Sequence, residues 1–487
     1  TAYEFLEKRF DSKTRTLTSF LFLLQRGLST GISIYAPSII LASLFGWDIS
    51  WTNIIMGGLL IIYTVSGGAR AVAYTQQIQM VVIFIAMFLS GYFVVKLLPD
   101  HMGFTEALQV GGKLGKLNVI TTGETAKGFD WNDRYNIWSG LIGGFFLALS
   151  YFGTDQSQVG RYLTAQNNRE SRLGLLINGL VKIPMQFFIL LIGVLVFSFY
   201  QFNASPLSFN DSLVSDVQQS PYKDSLQLLQ GKADAINQQR MEAIAGWNKD
   251  QNNPALTQHI KELNQQTEAY RADFKRISDK ATGKDSNDTN YVFLSFVKRY
   301  LPAGLKGLLI AIIFLAAWGS IAAALNSLAA STVVDFHKRI AKPCSPIDEY
   351  KTSKWYTFGW GVFSIIVAQF SSRLGQSLIE AVNVLGSLFY GVILGIFLVA
   401  FYMKKVKGAA VFIAAIVVEV FVVILFFNER IPFAKGLPDI SFLWMNVIGA
   451  LGVVALAWLL QQFLPSSITG VRSTNPPEEV PELVPAK

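Results

Sequence analysis

The chain has 487 residues, of which 51% are hydrophobic, 13% aromatic and only 15% charged; 41 Lys and Arg against 33 Asp and Glu leave a formal charge of +8. A soluble domain carries about 25% charged residues to cover its surface, so a water-soluble globule is excluded, as are disordered and collagen-like chains and, with a single cysteine, a disulfide framework. The positive charge does not mark a nucleic-acid binder, because the basic residues sit in short segments between apolar runs, as the positive-inside rule asks of a membrane protein.

A bilayer core takes about 20 apolar residues per helix. Ten such runs follow in chain order, at about 16–46, 51–67, 77–98, 136–158, 173–200, 304–336, 353–371, 376–402, 408–428 and 440–463. An all-α membrane protein of about ten transmembrane helices is therefore expected, in four blocks: membrane helices over 1–200, a polar insertion over 201–290, membrane helices over 291–464 and a tail over 465–487. Lys8, Arg9, Lys13, Arg15, Arg70, Arg161, Arg169, Arg172, Lys338, Arg339, Lys404, Lys405 and Lys407 fall on one side, whereas the short loops of the other side hold Arg373, Arg430 and Lys435. The first group is placed in the cytoplasm, with the start of the chain and the Pro476–Glu479 tail. The insertion, outside on this topology, carries 10 Lys/Arg and 12 Asp/Glu. It reads as a helical hairpin with a thin core, broken near Asn252–Pro254, either a decoration or a substrate-capturing or partner-docking element.

Ionisable groups inside spans are costly and mark functional sites. Arg26 lies roughly 16 Å into the first span at 1.5 Å per residue, and its guanidinium stays charged. It needs a substrate carboxylate or phosphate, or a structural acid such as Asp155. Lys182 lies at a similar depth, close to Pro184, as a substrate contact or as an amine satisfied by carbonyls. Glu380 and Glu419 sit nearer span ends or in a late span. Tyr151-Phe152-Gly153-Thr154-Asp155-Gln156 interrupts the fourth span, as the broken helices of transporters do where they expose backbone to ions and substrate. The run from Gly307 to Val334 has no charge, and its inner half is small and hydroxylated. It suits close helix packing or oxygen ligation of a hard monovalent cation. No HExxH, P-loop, CxxC or GxSxG occurs, so no enzyme toolkit and no metal site beyond sodium is expected.

Four stretches carry a resemblance: Tyr3-Glu4-Phe5-Leu6-Glu7-Lys8-Arg9-Phe10; Tyr63-Thr64-Val65-Ser66-Gly67-Gly68-Ala69-Arg70-Ala71-Val72; Asp155-Gln156 through Arg161; and Ala316 through Lys338 with Leu325-Asn326-Ser327 and Asp335-Phe336-His337-Lys338. Together they resemble the sodium:solute symporter family, which includes the sodium–glucose and sialic-acid transporters. The resemblance implies a LeuT-type core of two inverted five-helix repeats, with the helix break at Gly153 in the first helix of the second repeat. It also implies that two core helices precede Thr1, so that the chain from Thr1 alone does not catalyse coupled uptake.

For sodium, the resemblance points to Ala316, Gly319 and Ser320, with Gly319 in place of a hydroxyl residue. Gln76 in place of an Asp, with Ala322 and Ala323, argues against a second sodium site. On the substrate side it points to Tyr151 as an inner gate, to Asp155 and Gln156 at the break, to Lys182, and to a polar contact near Val382–Asn383, taken as Asn383. Ala148 stands where a hexose-binding amide would be, and Arg26 where acid-transporting relatives hold a carboxylate. The implied function is sodium-coupled secondary active symport of a small anionic or carboxylate-bearing solute by alternating access, by a multi-pass protein of the plasma membrane, in a bacterium the inner membrane. The alternatives are a transporter-like sensor or receptor and a sugar symporter. The implied partners are the solute and the lipid bilayer.

Overall fold

The computed structural model describes residues 1–99, 102–118, 120–126, 128–163, 167–250, 253–340, 345–371 and 377–464, without side-chain placement for 68–77, 163, 248–249, 346 and 433. The readings of Arg70, Gln76, Asn252, Arg373 and the 465–487 tail lie outside the described residues and side chains.

Among the described residues, eight helices are long and apolar enough to cross a membrane. They are α2 (Ser12–Phe45), the two halves of α3 (Ile49–Lys96), α7 (Asn168–Phe202), α12 (Ala303–Ser331, extended by a π-helical turn and the short α13, Lys338–Ile340), α15 (Leu378–Tyr402), α16 (Gly408–Phe426) and α17 (Phe442–Phe463). Where a loop was expected at Tyr63–Val72, the helical assignment of α3 continues. Its halves Ile49–Gly67 and Ile78–Lys96 still count as two crossings, because Ile49 and Leu98 both pack in clusters that include the short helix α11 (Val292–Tyr300). Two further crossings complete the ten expected. One is the interrupted pair α5 (Gly144–Thr154) and α6 (Gln156–Leu163), too short singly; the other is α14 (Pro346–Ser371), whose first turns carry Asp348, Glu349, Lys351 and Lys354.

The centre of the bundle is α15, of whose most apolar stretch 83% is buried, against 11% for α7. Small residues let α15 and α17 meet backbone to backbone, the device membrane helices use where lipid supplies no hydrophobic drive. A Cβ on Gly391 would lie 2.7 Å from the Asn446 carbonyl oxygen, one on Gly395 2.8 Å from that of Ala450, and one on Gly449 2.9 Å from the Val392 nitrogen.

At one end of the bundle, α1 (Glu4–Arg9) lies across the helix termini rather than forming a loop. Arg9 donates to the carbonyls of Ala400 and Met403 at 3.2 and 3.0 Å, capping α15 where its dipole is negative. Asp11 caps α2 by accepting from the Thr14 N–H at 2.8 Å. Arg15, read from sequence as a loop cation, is a buried residue in the first turns of α2.

At the other end lie α4 (Phe104–Lys113), beside α7, and the insertion, with α8 (Asp211–Gln218) and a hairpin of α9 (Lys223–Lys249) and α10 (Pro254–Thr282). Asn253 caps α10, with proline as its first residue. A thin core was expected, but Ile236, Ile244, Trp247, Ile260 and Leu263 pack in one cluster with Val94, Leu98, Val110, Leu195 and Phe199. The apolar residues of the hairpin are few because the spans supply the other half of its core.

Gly449→Ala should lower the thermal stability of the detergent-solubilised protein by about 1–3 kcal/mol through overpacking against α15. Leu451→Ala, on the exposed side of α17, should change the melting temperature little by comparison.

Candidate functional site

A helix that stops inside a membrane frees backbone groups that lipid cannot satisfy. Here the interruption falls at Asp155, where the backbone turns extended (φ −73°, ψ 118°), two residues beyond the expected Gly153, which stays helical. Asp155 is 1% exposed, and its Oδ1 accepts from the Ser157 N–H at 2.7 Å and from the Ser157 hydroxyl, so that it caps α6. The Tyr3 hydroxyl donates to the Thr154 carbonyl at 3.1 Å, taking up an acceptor left free at the end of α5. The Ala2 N–H donates to Gln156 Oε1 at 2.7 Å. The chain start thus clamps the break from one side. From the other, Tyr390 on α15 donates its buried hydroxyl to Asp155 Oδ2.

Arg26 enters this group from α2, facing Asp155, Tyr390 and Tyr151. Tyr390 is its hydrogen-bonding neighbour, whereas Asp155 acts on it through space. The two alternatives left open by sequence therefore resolve into a third arrangement, with the tyrosine hydroxyl between the charges, and Arg26 Nε is buried without a partner. Tyr151 accepts from Gln158 Nε2 at 2.8 Å, and the Lys182 ammonium lies over the rings of Tyr151 and Phe152 at 5.4 and 5.2 Å, a cation–π contact of about 0.5–2 kcal/mol. Arg26, Tyr151, Asp155, Gln156 and Lys182 are thus gathered around one interruption. Of these, Asp155 and Gln156 have oxygens occupied by internal donors, which makes them structural parts of the break. Asn383 lies on α15 seven residues before Tyr390, on the same helix face about 10 Å away along the axis, and is not part of this group. Glu380 instead pairs with Arg134 in the loop before α5, and both oxygens of Glu419 are buried without a hydrogen-bond partner.

The residues expected to hold sodium lie on α12, which packs on α2, α3 and α6. Gly319 is buried, Ala316 half-buried and Ser320 exposed. One hydroxyl and two carbonyls on one helix have the right oxygen chemistry for a hard cation but make up about half of the six oxygens such ions take. They fit as one wall of a site.

Sequence reasoning missed two features. Tyr390 reads as one more aromatic in an apolar run; the available signal was its hydroxyl, which in a buried span must find a partner. The second is a network at the end of the bundle that carries α1. The Asp335 carboxylate accepts from Arg15 Nε and Nη2 at 2.8 and 2.6 Å, from the Ser19 hydroxyl at 2.9 Å and from the Thr1 hydroxyl at 2.6 Å. Glu7 joins Arg15 to Arg339. This ties α1 and α2 to the end of α12.

With this geometry, the comparison with known families is decisive: a model of the sodium:solute symporter family matches residues 1–221 and 268–417. The chain belongs to the sodium:solute symporter family. The unmatched segment 222–267 covers all of α9 and about the first half of α10. The chain is 32% identical to the human sodium/iodide cotransporter over 41% of its length and 30% of that protein's. It is 25% identical to the rabbit sodium-dependent multivitamin transporter over 81% of its length and 49% of that protein's. It thus spans half or less of these two relatives. With the sodium/sialic acid symporter SiaT of Proteus mirabilis it shares 24% identity over 93% of its length and 73% of that protein's. A solved structure of a Na+-coupled sialic acid symporter, substrate-bound and outward-open, superposes over 96% of this chain and 77% of that one with TM-score 0.68 at 21% identity. The family fold is the LeuT-type helical membrane fold that the sequence implied.

Two substitutions probe the group and the network. Tyr390→Phe should leave the Asp155 carboxylate short of one donor and destabilise the protein by about 1–3 kcal/mol, read as a lower melting temperature in detergent. Asp335→Asn should cost about 1.5–3 kcal/mol by leaving the buried Arg15 charge with Glu7 as its acid; equal stability of the Asp335→Asn protein and the parent would remove the network from the account.

Proposed function

We propose that the protein is a sodium-coupled secondary active symporter of a small organic anion, most simply a carboxylate, working by alternating access. The observation that carries this reading is Arg26, a guanidinium at membrane depth that cannot shed its proton and that keeps a buried Nε without a partner although Asp155 faces it through space and Tyr390 meets it directly. Lys182 adds a second positive charge over the same aromatic rings. Against these stands Asp155, already engaged by three internal donors. An entering carboxylate supplies the missing negative charge, and the free Arg26 Nε offers it a charge-assisted hydrogen bond. The names of the relatives support the same class, since they include iodide, monocarboxylate and sialic acid transporters.

Sodium enters through α12, with Ala316, Gly319 and Ser320 as one wall of its site. Bound there, it supplies fixed positive charge and holds α12 against its neighbours. Coupling then requires that ion and solute each favour the same state of the bundle, a difference in affinity between states rather than simple co-binding. The interrupted α5–α6 and the gate-like Tyr151 sit where such a change would open the site. Transport needs no covalent step, and the reading assigns none. The protein is placed in the cell's bounding membrane, with the α1 end inside by its Lys and Arg and the insertion outside.

Arg26→Gln in the full protein, reconstituted in proteoliposomes, should raise the apparent KM for a transported monocarboxylate many-fold while the melting temperature stays near that of the parent. Unchanged affinity in a folded Arg26→Gln protein would make the arginine structural and remove the anion reading. Sodium or lithium, but not potassium, should raise the melting temperature at fixed ionic strength. Ser320→Ala should weaken that dependence by about 1 kcal/mol, the size of one hydrogen bond.

A further inference from the structure

A cavity lies away from the central group, at the insertion end of the bundle. It encloses about 780 Å³ between the last turns of α7 and the hairpin α9–α10, a size that ligand sites commonly have. Part of its wall, with Arg240, Lys261 and Gln265, comes from the 222–267 segment that the family model does not match.

Arg240 decides what the cavity suits. It is 1% exposed. Its Nη2 donates to the Tyr200 carbonyl at 2.9 Å and to Asn237 Oδ1 at 2.7 Å. Those bonds fasten the hairpin to the end of α7 and account for part of the side chain. They do not account for its charge, because the partners are neutral, and Nε is left buried without a partner. Burial accordingly pushes the pKa of the Arg240 guanidinium down to about 10, the through-space pull of Glu268 opposing it only in part.

The other charges of the wall leave the surplus standing. Arg271 is engaged by Asp288 at 2.8 Å, an acid also shared with Lys275. Lys116 and Lys261 add two further cations, and Glu268 is the acid among the lining residues. The floor is aromatic: Phe197 lies under Lys116 at 4.9 Å, and Phe209 under Arg271 at 4.8 Å. Gln201, 4% exposed, also lines the cavity, with its amide oxygen buried and without a hydrogen-bond partner.

We infer that this cavity binds a small organic carboxylate with an apolar or aromatic body. The carboxylate is held by the charge of Arg240 and by the ammonium groups of Lys116 and Lys261, and the body lies along Phe197. A neutral molecule of the same shape gains the ring but leaves the buried guanidinium with neutral partners. An inorganic anion gains the charge but leaves the ring unused. The inference rests on the hairpin cavity alone and stands or falls apart from the transport reading.

The test uses the full protein in lipid nanodiscs, bearing Arg26→Gln so that the central group does not contribute, with 4-fluoromandelate as the probe and 19F NMR line broadening as the readout. 4-Fluorobenzyl alcohol and sodium sulfate serve as the neutral and inorganic competitors. Binding is expected, with little competition from either. Lys261→Glu, at an exposed rim position, should weaken it at least about tenfold, the effect of losing one charge-assisted contact. Glu268→Gln should tighten it. Arg240→Gln should abolish it, and because that variant also loosens the hairpin, the two rim variants decide the matter if it fails to fold. Absence of binding, equal binding of the alcohol, or affinity indifferent to both Lys261→Glu and Glu268→Gln would overturn the proposal.

Discussion

Asp155 stands where a membrane-crossing helix stops and starts again, and most of the polar chemistry of this protein follows from keeping that interruption satisfied. In lipid the freed N–H and C=O groups have no water to turn to. The chain answers with its own side chains: the carboxylate caps α6, Tyr3 takes the Thr154 carbonyl, and Ala2 holds Gln156. Tyr390 fixes the second carboxylate oxygen and brings the central helix α15 into register with the break. With the acid used in this way, it acts on Arg26 through space while Tyr390 meets the guanidinium directly, and the Arg26 Nε is the donor left without a partner.

The same economy explains the packing around it. Glycines on α15 and α17 bring two backbones into contact, which gives Tyr390 a rigid support. α7, of whose apolar stretch 11% is buried, carries Lys182 on the other side of the polar group. The Arg15–Asp335–Glu7 network closes the far end of α2 and α12, so that the two helices carrying Arg26 and the small-residue face are joined below the site.

What could be read from the residues and what could not divide along a physical line. Ten crossings, the helical hairpin and the interruption near Tyr151–Gln156 are written in local patterns of apolar length and small polar residues. Arg26 and Lys182 stand out because a charge in an apolar run has no cheap explanation. Tyr390 does not stand out, since its ring belongs in such a run and only its partner, 235 residues away, reveals the role of its hydroxyl. Arg15 was misread for the same reason: a cation near a helix start fits the positive-inside pattern, and its acid Asp335 is 320 residues distant. The break was placed at Gly153 because glycine is the local signal for irregular backbone, whereas the structure ends the helix at the residue able to cap the next one. The core of the insertion was underestimated because half of it belongs to other helices.

Arg240 holds the Tyr200 carbonyl in the last turn of α7, which makes α7 and the hairpin parts of one mechanical train. From Lys182 to the end of α7 about 20 residues span roughly 30 Å, so a tilt of about 10° at the level of Lys182 moves the far end by roughly 5 Å. The hairpin must ride with that end or shear against Val94 of α3 and the adjoining Leu98, on which it is packed. A rearrangement at the depth of Lys182 is thereby magnified into a displacement on the surface, and the work of deforming the hairpin's seat becomes part of the energy difference between conformations of the bundle.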